Sequence, residues 1–284
     1  MTAEEYIRAG QVSEALEALQ QSVRKNPADA KLRVFLFQLL SVLGDWTRAL
    51  TQLNVLSDMD LDSAMLSQIF SQVLNLEALR ADVFAGKRSP LIFGEPPSWI
   101  GKLLQASQLV AQGNHAASGE LREQAYEEAP TVPGKVNGEP FEWIADADSR
   151  LGPVLEAYLE GQYYWIPFSR IRRIEIEKPQ DLRDLVWITA QFVWANGGEA
   201  SGFIPTRYPG TEKSADPTLK LSRKTEWQQP ADGVYLGLGQ RVFATDQADF
   251  SLLDIRKIEF TLSEEAPAAD ASVAETPAAE TASP

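Results

Sequence analysis

Gly10-Gln-Val-Ser-Glu-Ala15-Leu16-Glu-Ala-Leu19 and Gly44-Asp-Trp-Thr-Arg-Ala49-Leu50-Thr-Gln-Leu53 are the stretches that decide how this chain folds. The second repeats the first at an interval of 34 residues, with glycine on glycine, alanine on alanine, Leu16 on Leu50 and Leu19 on Leu53. Apolar residues three and four apart share one face of a helix, so each stretch reads as a helix entered through a turn. Glycine serves the turn because it adopts positive φ without steric cost. The alanine lets two helices approach closely, and Asn26-Pro27 ends the first copy because proline cannot continue a helix. A 34-residue period is that of stacked helical hairpins.

A third copy runs from Gly113-Asn-His-Ala-Ala-Ser118 to Ala125-Tyr-Glu-Glu-Ala-Pro130, with the same 17-residue spacing from glycine to proline as Gly10 to Pro27. Ser63 to Phe84 is helix-rich in weaker register, and Lys87-Arg88-Ser89-Pro90 through Pro96-Pro97 breaks the array with a loop. Residues 1–130 therefore read as a tetratricopeptide-like helical-hairpin domain, with plain helical hairpins as the alternative. In such an array the first helix of each hairpin lines the concave face. The register puts Lys31, Val34, Gln38, Gln68, Gln72 and Leu103 there. Amides, one lysine and aliphatics suit an amphipathic helix or an extended peptide. Ordinary packing between helices competes for the same residues.

Residues 131–262 change character, holding five of the seven tryptophans and many β-branched residues. Tyr163-Tyr-Trp-Ile-Pro-Phe, Ile171-Arg-Arg-Ile-Glu-Ile, Leu185-Val-Trp-Ile-Thr-Ala-Gln-Phe-Val-Trp, Val234-Tyr-Leu-Gly-Leu and Ile255-Arg-Lys-Ile-Glu-Phe read as strands. Helical periodicity persists only near Ser149–Glu160, with Asp148 as its N-cap. Ile171 and Ile174 recur 84 residues later as Ile255 and Ile258, each within an Ile-Arg-basic-Ile-Glu strand whose charges form a solvated face. The expected fold is α+β: helical hairpins, a 130–140 connection, then a mixed-β domain that is barrel-like with a duplicated half. Trp143 and Trp165 offer a second place for a partner on that domain. Residues 263–284 hold eight Ala, three Pro and five acids with no base, a composition that reads as a disordered tail.

The composition narrows the chemistry. A formal charge of −14 argues against nucleic acid and against an anionic membrane surface as partners. Zero Cys removes disulfides and thiolate metal sites, and the lone His115, in a polar turn before a helix, reads as a solvated loop residue. No phosphate-binding loop is present, and Gly237-Leu-Gly239 lacks the third glycine and following helix of a dinucleotide site. No cofactor is expected. Asp146-Ala-Asp148 has the spacing of a divalent-metal pair, set against a structural cap or an ion pair with Arg150. The N-terminus lacks a signal-peptide core, which makes the cytoplasm the expected location.

Three motifs in order carry a resemblance: Phe141-Glu-Trp-Ile-Ala-Asp146-Ala-Asp148-Ser-Arg150-Leu-Gly-Pro-Val-Leu-Glu156, then Trp165-Ile-Pro-Phe168, then Pro205-Thr-Arg207-Tyr208-Pro-Gly-Thr-Glu212. They resemble the ImpE family, also called SciE-type or TagJ, an accessory component of bacterial type VI secretion, over most of residues 1–262. The resemblance implies a cytoplasmic adaptor that is not an enzyme. It also implies binding to the N-terminal amphipathic helix of the small sheath subunit TssB and a link to the ClpV ATPase. The alternatives are a general tetratricopeptide co-chaperone and a metal-dependent enzyme using Asp146 and Asp148 with Glu142 or Glu212.

Overall fold

Gly10, Gly44 and Gly113 sit at φ +78°, +76° and +77°, the left-handed turns that the repeat spacing requires. The computed structural model describes residues 1–262; the expectation for 263–284 lies outside the described residues. Gly10 joins α1 (Ala3–Arg8) to α2 (Val12–Lys25), and Gly44 joins α3 (Ala30–Leu43) to α4 (Trp46–Leu56). The repeated Ala15 and Ala49 are fully buried where helices meet. α5 (Leu61–Phe84) is one long helix, capped by Asp60, whose carboxylate accepts the Ser63 N–H. The loop after α5 contains a short strand, β1 (Leu91–Ile92). A last hairpin, α6 (Ser98–Ala111) and α7 (His115–Glu128), turns at Gly113. His115 is therefore a half-buried residue of the first turn of α7, not a loop residue.

The chain then becomes β: β2 (Gly134–Val136), β3 (Glu139–Phe141), β4 (Ile144–Asp146), β5 (Val154–Leu159), β6 (Gln162–Pro167), β7 (Ile171–Ile176), β8 (Trp187–Trp194) and β9 (Glu199–Pro205). The short α8 (Pro217–Lys220) precedes β10 (Thr225–Ala231), β11 (Val234–Gly239), β12 (Val242–Thr245), β13 (Asp249–Ser251) and β14 (Lys257–Phe260). Nine strands form one sheet in the order β1-β6-β5-β9-β8-β7-β14-β2-β3. Among the described residues it starts at β1 and ends at β3 without closing, so the mixed-β unit is an open sheet there and not a barrel. The small sheet β13-β12-β4 and the hairpin β10-β11 complete the unit. The sequence echo has a structural meaning, because β7 and β14 pair antiparallel with Ile174 opposite Ile258. Arg173, Glu175, Lys257 and Glu259 pair on their outer face.

The expected helix over Ser149–Glu160 is absent; β5 stands in its place. All six residues of β5 are buried, so the strand shows none of the alternation that marks a half-exposed strand. Val154 and Tyr158 point into a core shared with the helices, whereas Leu155, Ala157 and Leu159 point into a second core on the far face. Asp148 caps no helix; its carboxylate accepts the Arg150 N–H within a tight turn.

Helices and sheet share the first core. The Phe70 ring lies 5.5 Å from Phe37, 6.0 Å from Trp187 and 5.3 Å from Phe203, and Trp46 lies 5.8 Å from Trp187. Deleting a buried aromatic costs about 3–5 kcal/mol. Trp187→Ala is therefore expected to shift the urea transitions of helix content (far-UV circular dichroism) and of aromatic packing (near-UV) together, by about that amount. Two separated transitions in the wild-type protein would show that the helical and β segments unfold independently.

Candidate functional site

Of the residues assigned to the concave face of the array, Lys31, Val34 and Gln38 line one cleft, whereas Gln68, Gln72 and Leu103 lie apart from it. Val34 is half-buried beside Lys31 and Phe35 in a cleft of ≈ 600 Å³. Gln38 is buried, and its Oε1 accepts the Leu182 N–H at 3.2 Å. Leu103 is fully buried on the inward side of α6. Lys31 on α3 and Gln68 and Gln72 on α5 are exposed. The cause is general: the inward faces of α3 and α5 pack on the chain's own sheet. Trp165 is likewise fully buried, its indole N–H donating to the Tyr163 hydroxyl at 2.7 Å. Trp143 is 41% exposed and lines an apolar pocket of ≈ 360 Å³ with Trp99, Tyr126 and Phe168.

The motif residues converge instead on the seam between helices and sheet. Asp146, at the end of β4, is fully buried; it pairs with Arg241 and accepts the Asp148 N–H at 2.9 Å. The Tyr208 hydroxyl lies 3.0 Å from the same carboxylate. Asp148 takes the Arg150 guanidinium at 2.8 and 2.5 Å and the Gly237 N–H at 2.8 Å. The oxygens of both aspartates are thus engaged by protein donors, as the ion-pair alternative requires. Among the described residues no group of three His, Cys, Asp or Glu side chains could hold a metal ion. Glu142 is exposed in the β3–β4 connection, away from these groups. Glu212 lies against the α3–α4 turn, where a Cβ on Gly44 would come within 2.4 Å of it.

Among the described residues Arg207 has no carboxylate partner within 4 Å. Its guanidinium donates to the carbonyls of Val42 (2.7 Å), Ser41 (3.3 Å) and Lys220 (2.7 Å). Two of these belong to the last turn of α3, whose carbonyls lack partners within the helix and carry the negative end of its dipole. Arg207 therefore caps α3 from the sheet side. Burial without a counter-ion pulls its pKa down to about 10.

The centre of this seam went unnoticed in the sequence. Arg80 on α5 grips Glu156 on β5 in a fork of 2.7 and 3.0 Å. Glu156 is also held by Arg241 and by the Tyr163 hydroxyl at 2.5 Å. Glu77, one turn before Arg80, accepts from the Tyr158 hydroxyl and the Trp187 indole at 2.7 Å each. The available signal was a lone glutamate inside the apolar run Val154–Leu159, and a Glu-Arg pair three apart among the apolar residues of α5. A buried charge is costly unless it is paired or hydrogen-bonded, so each predicted a partner from elsewhere.

Burial pushes the Glu156 carboxyl up, but Arg80 and Arg241 outweigh it and hold it at about 2. Asp146 has only a share of Arg241, and burial together with neighbouring Asp148 pushes it up to about 6. The two groups therefore act on stability with opposite sign. Glu156 stabilises the fold above pH ~4.5, and that contribution is lost as pH falls toward 2. Asp146 favours the fold in its protonated form, a contribution lost as pH rises from ~4 through 6.

Comparison with known proteins follows the same lines. The family described as ImpE protein matches residues 138–259, and a tetratricopeptide repeat family matches residues 6–69. The type VI secretion system accessory component TagJ of Pseudomonas aeruginosa is 47% identical over 260 residues, 92% of this chain and 91% of that protein. A crystal structure of a Vibrio parahaemolyticus protein superimposes with a TM-score of 0.82 at 25% identity, covering 92% of this chain and 98% of that one.

Removing one partner of a buried ion pair leaves the other charge uncompensated, at a cost of about 3–5 kcal/mol. Glu156→Gln is expected to lose about that much in urea denaturation at neutral pH, and Asp146→Asn clearly less. The fall in wild-type stability from pH ~4.5 to 2, about 3 kcal/mol from Glu156 alone, should be missing in Glu156→Gln. Equal losses in the two variants would mean that Arg241 leans on both carboxylates alike.

Proposed function

The chain belongs to the ImpE family of type VI secretion accessory components, and on that premise we propose that it is a non-enzymatic adaptor. In this reading it binds the N-terminal amphipathic helix of the sheath subunit TssB in the cytoplasm and links the contracted sheath to the ClpV ATPase. The observation that carries it is the identity to a type VI accessory component along nearly the whole chain. The internal chemistry agrees. The charged side chains brought together at the seam are consumed in holding helices to sheet, which is the investment of a scaffold. A net charge of −14 favours a partner helix that carries lysine or arginine. No helix among the described residues is long and apolar enough to cross a membrane.

Calorimetry with the full-length chain and a synthetic peptide of the sheath subunit's N-terminal helix tests this. Binding with Kd near 1 μM, about −8 kcal/mol, is expected, weakening as salt rises from ~0.1 to ~0.5 M. A wild-type protein that binds neither the peptide nor the intact sheath subunit would overturn the adaptor reading.

A further inference from the structure

The outer side of α5 is unlike the rest of the helical surface. Leu61 is 84% exposed, Met65 65% and Ile69 46%. Being four apart, they stack as a ladder along one side of the helix, with Gln68 and Gln72 beside it. The opposite side, including Ser67, Phe70, Leu74 and Glu77, is buried against the rest of the protein. Three large aliphatic side chains in a row in water are not the scattered exposure found on any surface.

The ladder joins two recesses. At its N-terminal end is the ≈ 600 Å³ cleft lined by Val34, Phe35, Lys31, Glu4, Asp62 and Asp181. At its C-terminal end a smaller recess of ≈ 150 Å³ lies between Ile69, Leu76 and the β5–β6 turn at Glu160 and Gly161. Five carboxylates, Glu4, Asp60, Asp62, Asp181 and Glu160, border this track against one lysine, Lys31. Asp60 caps α5 and Asp181 pairs with Arg183 at 2.8 Å. Glu4, Asp62 and Glu160 have no ion-pair partner within 4 Å among the described residues.

We propose that this face of α5 is a docking surface for a cationic amphipathic helix. From Leu61 to Leu76 the track runs about 23 Å, the length of a helix of about 16 residues. The partner's apolar stripe lies along Leu61, Met65 and Ile69, and its flanking lysines or arginines face Asp62 at one end and Glu160 at the other. Acid meeting acid disfavours a second copy of this chain on the same face. The placement rests on the adaptor reading for the identity of the helix; the chemistry of the surface stands apart from it.

Because Met65 and Ile69 are exposed, M65E/I69E should leave the fold intact, which an unchanged melting curve verifies. Titrations use two peptides: the sheath subunit's N-terminal helix and a designed 16-residue Leu/Lys amphipathic helix. M65E/I69E is expected to weaken both by about 30-fold or more, and D62K/E160K by about 10-fold at low salt, with the latter difference shrinking at high salt. If wild-type protein binds the sheath peptide and both variants bind it equally well, the surface is overturned while the adaptor reading stands. If only the designed helix binds, and M65E/I69E abolishes it, the surface stands and the adaptor reading falls. A wild-type dimer made monomeric by M65E/I69E would give the face to a second copy and overturn the proposal.

Discussion

A single glutamate in the middle of the sheet, Glu156, is gripped from two sides, by Arg80 reaching down from α5 and by Arg241 reaching across from the start of β12. Much of the remaining structure is arranged so that this can happen. Arg241 needs a second anion, so β4 delivers Asp146 to it. Arg80 has a spare N–H, and the Arg207 carbonyl accepts it at 2.8 Å. Tyr163 completes the glutamate, and Trp165 completes Tyr163. In a low-dielectric seam an unfinished chain of this kind would cost more than an apolar one, so it is closed at every link. Fixed donors and acceptors also allow only one register between α5 and β5, a constraint that aliphatic side chains alone would enforce less sharply.

The sheet supports the helices in a second way. Helix C-termini expose unpaired carbonyls, and arginines from the β segment satisfy them. Arg207 serves α3, and Arg223 serves α1 by donating to Ile7 at 2.7 Å and Arg8 at 3.1 Å. Together with the aromatic contacts of Phe70, Trp46 and Trp187, these bonds commit the inward side of the repeats to the chain's own sheet. A repeat array ordinarily offers that side to a partner. Here the exposed apolar surface lies on the outer side of α5, and the acidic groups around it define which helix it suits.

The sequence by itself determined the helical hairpins, because a period of 34 residues, glycines at the turns and alanines at the crossings are local chemistry that any stacked hairpin must satisfy. It also determined five of the fourteen strands (β6, β7, β8, β11 and β14), the outer charged face of β7 and β14, and, through three ordered motifs, the family. It could not place β5, whose burial on both faces erased the alternation that marks a strand. Nor could it assign the motif residues: Asp146 and Asp148 read as a structural cap or ion pair or as a metal pair, and Arg207 and Tyr208 had no role until their partners were known. Those partners lie far away in sequence, Arg241 being 95 residues from Asp146 and Arg80 76 from Glu156. Only the tertiary structure decided that the motif charges lock helices to sheet, and that Leu103 and Trp165 are core. Burial and ion pairing are properties of what the rest of the chain brings alongside a residue, and no local pattern carries that information.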